Sequence, residues 1–148
     1  MELWEVVARE SIRDLVTRYN SNGDTGRFAQ VLELFSPDAT MELVADDGGT
    51  RIYHGKDEIE TIFAGTRARW STEAAERAAP RYVRHCVFTH QIDFVDQTHA
   101  RGRSYFQVLM AHGLDHWGRY VDEYEERDGR WLFIRRRVTT DGHADGAR

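Results

Sequence analysis

The stretch Arg81-Tyr-Val-Arg-His-Cys-Val-Phe-Thr-His-Gln-Ile-Asp-Phe94 reads as one long β-strand. β-Branched and aromatic residues dominate it, and neither glycine nor proline interrupts it. Side chains on a strand alternate between faces. Alternation puts His85 with Val83, Val87 and Thr89, and puts Cys86, Phe88, His90 and Ile92 on the other side. An imidazole between two valines has two readings. It is a core histidine bonded to a neighbour, or it is a catalytic base, and the second reading needs a partner from elsewhere in the chain.

After this strand the sequence reads only as strands. Residues 100–112 alternate Tyr105, Gln107 and Leu109 against Phe106, Val108 and Met110. Residues 118–127 and 130–139 form a pair joined at Asp128-Gly129, a strong two-residue hairpin signal. Several of these strands carry apolar residues on both faces. One face can pack on helices; the other can line a pocket or an oligomer interface.

Before this strand the pattern is helical. Residues 3–20 place Ile12, Leu15, Val16 and Tyr19 on one face. Asn20-Ser-Asn-Gly23 reads as its stop. Asp24 or Thr25 can cap a second helix, 26–35, with Phe28, Val31, Leu32 and Phe35 inward. Ser36-Pro37-Asp38 reads as a turn, followed by a hairpin of strands 39–44 and 51–53 around Asp46-Asp-Gly-Gly49. A third helix begins near Lys56, buries Ile59, Ile62 and Phe63, and can run on through Trp70. Residues 71–80 read as a charged, alanine-rich connection, helical or mobile, ended by Pro80. Such a segment suits a lid or a solvated surface stretch. Residues 140–148 read as a mobile tail. The sum is a single α+β domain, 1–148, with helices packed on one face of a curved, mostly antiparallel sheet.

Bulk properties narrow the function. The chain has 148 residues, 41% hydrophobic and 30% charged, enough for one packed core. Its net charge is −5 with both signs intermixed, which gives no reason to expect a nucleic-acid partner. A single cysteine, Cys86, allows no internal disulfide and fits a reducing cytoplasm. No secretory signal or bilayer-length apolar run is evident, so the expected location is cytoplasmic, away from membranes. The seven histidines form no zinc-type spacing; His112 and His116 stand four apart in a glycine-containing region rather than on a helix. Glycine-rich phosphate loops and Gly-x-Ser-x-Gly elbows are missing. Acid–base chemistry by histidine with a carboxylate or phenol remains, with no cofactor and no metal expected.

Three segments carry a family resemblance. They are Ser11-Ile-Arg-Asp-Leu15 through Asp24, His85 with Ile92-Asp-Phe94, and Asp122-Glu-Tyr-Glu-Glu-Arg-Asp-Gly-Arg-Trp-Leu-Phe133. The chain resembles the SnoaL-like group of the nuclear-transport-factor-2-like superfamily, in particular its dehydrochlorinases and dehydratases. The resemblance implies a cone-shaped fold enclosing a pocket between three N-terminal helices and the sheet. It implies that Asp24 orients His85, that His85 removes a proton from substrate, and that Tyr19 and Arg136 support developing charge. Arg135, Arg136 and Arg137 are adjacent, so a one-residue slip changes which faces inward; alternation sides Arg136 with Leu132, Ile134 and Val138. Tyr105, Gln107 and Trp117 are candidate pocket residues. The implied activity is a cofactor-independent lyase or isomerase acting on a small hydrophobic cyclic molecule such as a polyketide, steroid, terpenoid or aromatic compound. Alternatives are a non-catalytic ligand-binding member of the fold, or a small subunit of a dioxygenase-like complex. A homodimer or homotrimer is expected on the same ground.

Overall fold

The computed structural model describes residues 1–74 and 81–147. Among them are three helices, α1 (Leu3–Asp24), α2 (Phe28–Leu32) and α3 (Gly55–Ala74). Six strands follow or intervene: β1 (Phe35–Val44), β2 (Thr50–His54), β3 (Val83–Phe94), β4 (His99–Met110), β5 (Gly113–Arg127) and β6 (Arg130–His143). They form one sheet in the order β2-β1-β6-β5-β4-β3, antiparallel except for the parallel β1–β6 pair. The helices cover one face, as the sequence pattern predicts. The 71–80 connection divides: residues 71–74 extend α3, and the rest lies outside the described residues.

The helix α1 buries Ile12, Leu15 and Val16 against the sheet, the apolar stripe read from its spacing. It does not stop at Asn20. Asn20 is buried and accepts a hydrogen bond from the Tyr120 hydroxyl at 3.0 Å, so the helix continues for another turn. The terminating glycine is Gly26, at φ +76°. Gly26 N–H bonds to Gly23 O and Arg27 N–H to Asn22 O, the paired closure of a Schellman ending. Asp24 is therefore the last helical residue, not a cap for α2; the position before α2 is Arg27, which makes no side-chain cap bond.

Other boundaries shift for identifiable reasons. The expected second helix, 26–35, shortens to α2, and Phe35 opens β1. Ser36-Pro37-Asp38 lies inside β1, where the register against β6 breaks between Phe35 and Thr40; an irregular strand accommodates a proline that a regular central ladder cannot. At Asp128-Gly129 both residues have positive φ, 52° and 81°, as a tight primed hairpin turn demands. The expected tail from 140 is partly strand: β6 runs to His143, pairing Gly142 with Trp117 and His143 with His116.

One core lies between the helices and the β1–β6 half of the sheet, built on Ile12, Leu15, Val31, Phe35, Met41, Ile59 and Phe133. A smaller cluster, Val83, Phe106, Val108 and Tyr120, lies under the β3–β5 half. Tyr19 and Val87 touch both. No helix among the described residues is long and apolar enough to cross a membrane.

Candidate active site

β3 is an edge strand, and α1 lies along its free edge. Edge strands expose unpaired backbone groups. Here α1 covers two of them. Arg9 Nη1 donates to Ile92 O at 2.7 Å near one end, and Asp24 Oδ2 accepts from His85 N–H at 2.9 Å near the other. The second oxygen of the same carboxylate, Oδ1, is 2.5 Å from His85 Nδ1. One aspartate thus grips both the backbone and the ring of one histidine. A carboxylate in the last helical turn faces the negative end of the helix dipole, which costs about 0.3–1 kcal/mol; two donors from one residue offset that.

The pair is asymmetric in exposure. The Asp24 side chain is 8% exposed and the His85 side chain 30%. With Nδ1 engaged, Nε2 is the nitrogen left to meet a ligand. The ring rests beside Phe106 at 6.2 Å between centroids and is roughly perpendicular to His116 at 6.4 Å.

Deeper in, Tyr19 meets Phe35, Tyr120 and Phe133 edge to face. Burial raises the pKa of its phenol above the ordinary value, so Tyr19 stays a neutral donor; its hydroxyl makes no hydrogen bond among the described residues. Arg136 does not join the accessible site. It is wholly enclosed, with Nε 3.2 Å from Asp122 Oδ1 and its guanidinium 3.6 Å from the ring centre of Tyr120, 4.1 Å from Tyr19 and 4.5 Å from Phe133. Burial pushes the Asp122 carboxyl up to about 6, against the pull of Arg136. Asp122 Oδ2 accepts from Tyr124 Oη at 3.0 Å, and Tyr124 Oη lies 3.2 Å from His90 Nε2. The expected pocket arginine is thus an internal charge sealed under aromatic rings, with no path to ligand in this form.

Alternation selected the right arginine and one of its neighbours, Val138, but not the other two. Arg135 and Arg137 point outward toward Glu42, while Arg136 faces in. Between Tyr124↔Phe133 and Glu123↔Arg135 the register slips, leaving Ile134 as an extra residue. Arg136 therefore shares its face with Phe133 rather than with Leu132 and Ile134. A bulge also breaks β3 between Val87 and His90. It swings His90 and Ile92 onto the side of His85, reversing the expected faces beyond Val87.

The three candidate pocket residues fall elsewhere. Phe106 and Val108 take the inward positions of β4, so Tyr105 and Gln107 face out from the sheet. Trp117 alternates with inward His116 and Gly118 and lies over Gly142, where an added Cβ would meet its ring at 2.7 Å. Two surface grooves are open: one of about 270 Å³ lined by Arg13, Val16, Thr17, Val87, Phe88 and His90, and one of about 370 Å³ near Ser11, Arg18, Gln30 and Trp131. Neither is lined by Asp24 or His85. The residue missed in sequence is His116. Its Nδ1 is 2.6 Å from Asp115 Oδ2. The sequence weighed it only for its spacing from His112; the adjacent Asp115-His116 pair was the signal of this contact.

This bowl of helices on a curved sheet is that of the nuclear-transport-factor-2-like superfamily. A SnoaL-like domain model matches residues 4–137, and the chain belongs to that family. Similar solved structures include a candidate scytalone dehydratase from Novosphingobium aromaticivorans, at 22% identity and TM-score 0.77, covering 100% of this chain and 93% of the other. The β subunit of a candidate aromatic-ring-hydroxylating dioxygenase from the same organism has 19% identity and TM-score 0.75, with 93% and 92% covered. A hexachlorocyclohexane dehydrochlorinase from Novosphingobium barchaimii has 19% identity and TM-score 0.70, with 100% and 97% covered. At such identities the likeness is one of fold. No curated protein matches the chain.

Proposed function

We propose that the protein is a cofactor-independent acid–base lyase or isomerase, dehydratase-like, acting on a small hydrophobic cyclic metabolite. The observation that carries this reading is the double grip of Asp24 on His85. An imidazole held this way keeps its proton on Nδ1 and offers Nε2 as a base; the carboxylate then stabilises the imidazolium that forms. Imidazole ordinarily titrates closest to neutrality of all side chains, which suits abstraction of an activated C–H proton. Tyr19, neutral and with no hydrogen-bond partner among the described residues, is the candidate donor to an oxygen that gains charge as the C–H bond breaks. Arg136 supports that tyrosine from beneath as a positioning residue.

The test uses cyclic β-hydroxy ketones, with turnover read as the absorbance of the conjugated enone. His85→Ala and Asp24→Asn should each lower kcat/KM by ~10²–10⁴-fold while the circular dichroism spectrum stays unchanged. Undiminished turnover in either variant dismisses the assignment.

A further inference from the structure

A second histidine–carboxylate pair stands across the site from the first. Register slips between Val108↔His116 and Leu109↔Leu114, so Asp115 is the extra residue of a bulge in β5. The bulge turns Asp115 inward next to His116 instead of onto the opposite face. Asp115 is 1% exposed, and its backbone O accepts Ala144 N–H at 2.8 Å, which anchors it to the end of the sheet. Its Oδ2 holds His116 Nδ1 at 2.6 Å, while its Oδ1 lies 3.1 Å from His112 Nε2.

The geometry repeats that of the first pair. Each imidazole has Nδ1 on a carboxylate that is more than nine-tenths buried, and each is itself partly exposed, His116 at 24%. Both rings flank Phe106 at 6.2 Å, and they stand 6.4 Å apart at 85°. The charged and titratable groups around His116 are Asp115 and His112, His85 with Asp24, and His143, which is 5.5 Å away and bound to Asp46 at 2.7 Å. The base chemistry proposed above uses one imidazole and leaves the other unassigned.

We propose that His116, held by Asp115, is the general acid of this site, opposite His85 as base. The inference rests on the proposed function and narrows its substrate class to molecules with a hydroxyl leaving group. His85 Nε2 takes the proton from a carbon beside a carbonyl, and the C–H electron pair becomes the new C=C bond. The C–O pair leaves with oxygen, which takes the proton from His116 Nε2, so the products are the enone and water. His85 ends protonated and His116 neutral, and proton exchange with solvent restores both. A hydroxyl needs this help because hydroxide, a strong base, is a poor leaving group. An acetate leaving group does not need it.

The experiment compares 3-hydroxycyclohexanone with 3-acetoxycyclohexanone, which eliminate to the same cyclohexenone. His116→Gln should lower kcat/KM on the hydroxy ketone by ~10²–10⁴-fold and on the acetate by no more than about threefold. Asp115→Asn, which keeps a hydrogen bond but removes the charge, should give a smaller loss with the same selectivity, and it decides the matter if His116→Gln does not fold. Equal losses on both substrates, or no loss on either, overturn the role of His116 while leaving His85 as base. Loss of both reactions in His85→Ala confirms that the two readings are being separated. Elimination of neither substrate by the wild-type protein overturns the proposed function, and this inference with it.

Discussion

Two carboxylate–cation pairs occupy the same bowl under opposite conditions. Asp24 and His85 meet at the rim, where the imidazole is partly open to solvent. Asp122 and Arg136 meet in the interior, both side chains at 0% exposure, roofed by Tyr19 and Tyr120. The rim pair includes an imidazole that is 30% exposed, with Nδ1 engaged and Nε2 left open, so it can exchange a proton. The interior pair has no open face, and its cation does not lose its proton under ordinary conditions. Resemblance implied that both His85 and Arg136 face a ligand; burial leaves only His85 partly exposed and encloses Arg136 completely.

Truncating the interior pair should produce the largest change in stability. Arg136→Ala leaves the Asp122 carboxylate buried without its cation and should cost ~3–5 kcal/mol in urea unfolding. If the comparison is right, whatever fraction stays folded retains the rim pair's hydrogen bonds. Gly118→Ala probes the ring between the two halves. An added Cβ there would run into Thr139 O and the Phe106 ring, so the variant should lose about 1–3 kcal/mol and also lose turnover, because Phe106 is the surface against which His85 rests. Gly26→Ala forces a side chain into a left-handed backbone at φ +76° beside Trp70, at a cost of about 1–2 kcal/mol. Its effect should fall on the rim alone, by disturbing the helix end that delivers Asp24.

The smallest effect is a pH slope. Burial, with the nearby charges of Arg13 and Arg136, lowers His90 from 6.5 to about 4. The folded protein keeps His90 neutral where the unfolded chain takes up a proton, so this contribution is whole above pH 6.5 and is lost as pH falls toward 4. His90→Gln should flatten that loss in melting curves taken across this window. Asp122, raised from 3.8 to about 6, contributes the opposite slope over that range, so the difference between wild type and variant carries the test.

Much of this was legible in the sequence. The inward face of α1, the Asp128-Gly129 hairpin and the strand bearing His85 follow from periodicity and turn chemistry. The nearness of Asp24 to His85 did not; it came through resemblance, since nothing local joins residues 61 positions apart. What escaped has one physical origin. Bulges at Val87/His90, at Asp115 and at Ile134 each shift a period-two pattern by one residue, and no residue type marks them. They moved His90 and Ile92 inward, gave Arg136 different neighbours and created the Asp115–His116 pair. Tyr105 and Gln107 failed for another reason: alternation sorts a strand into two faces without saying which one the helices cover. The helix end was misread because Gly23 and Gly26 both fit a stop, and the choice between them depended on a distant partner, Tyr120, for Asn20.

On the proposed function, Asp24 fixes His85 as a base with a free Nε2. Long-range ¹H–¹⁵N spectra of histidine-labelled protein read this directly. Neutral His85 should carry its proton on Nδ1, with Nε2 the unprotonated nitrogen. A His85 protonated on Nε2, with Nδ1 bare, would contradict it.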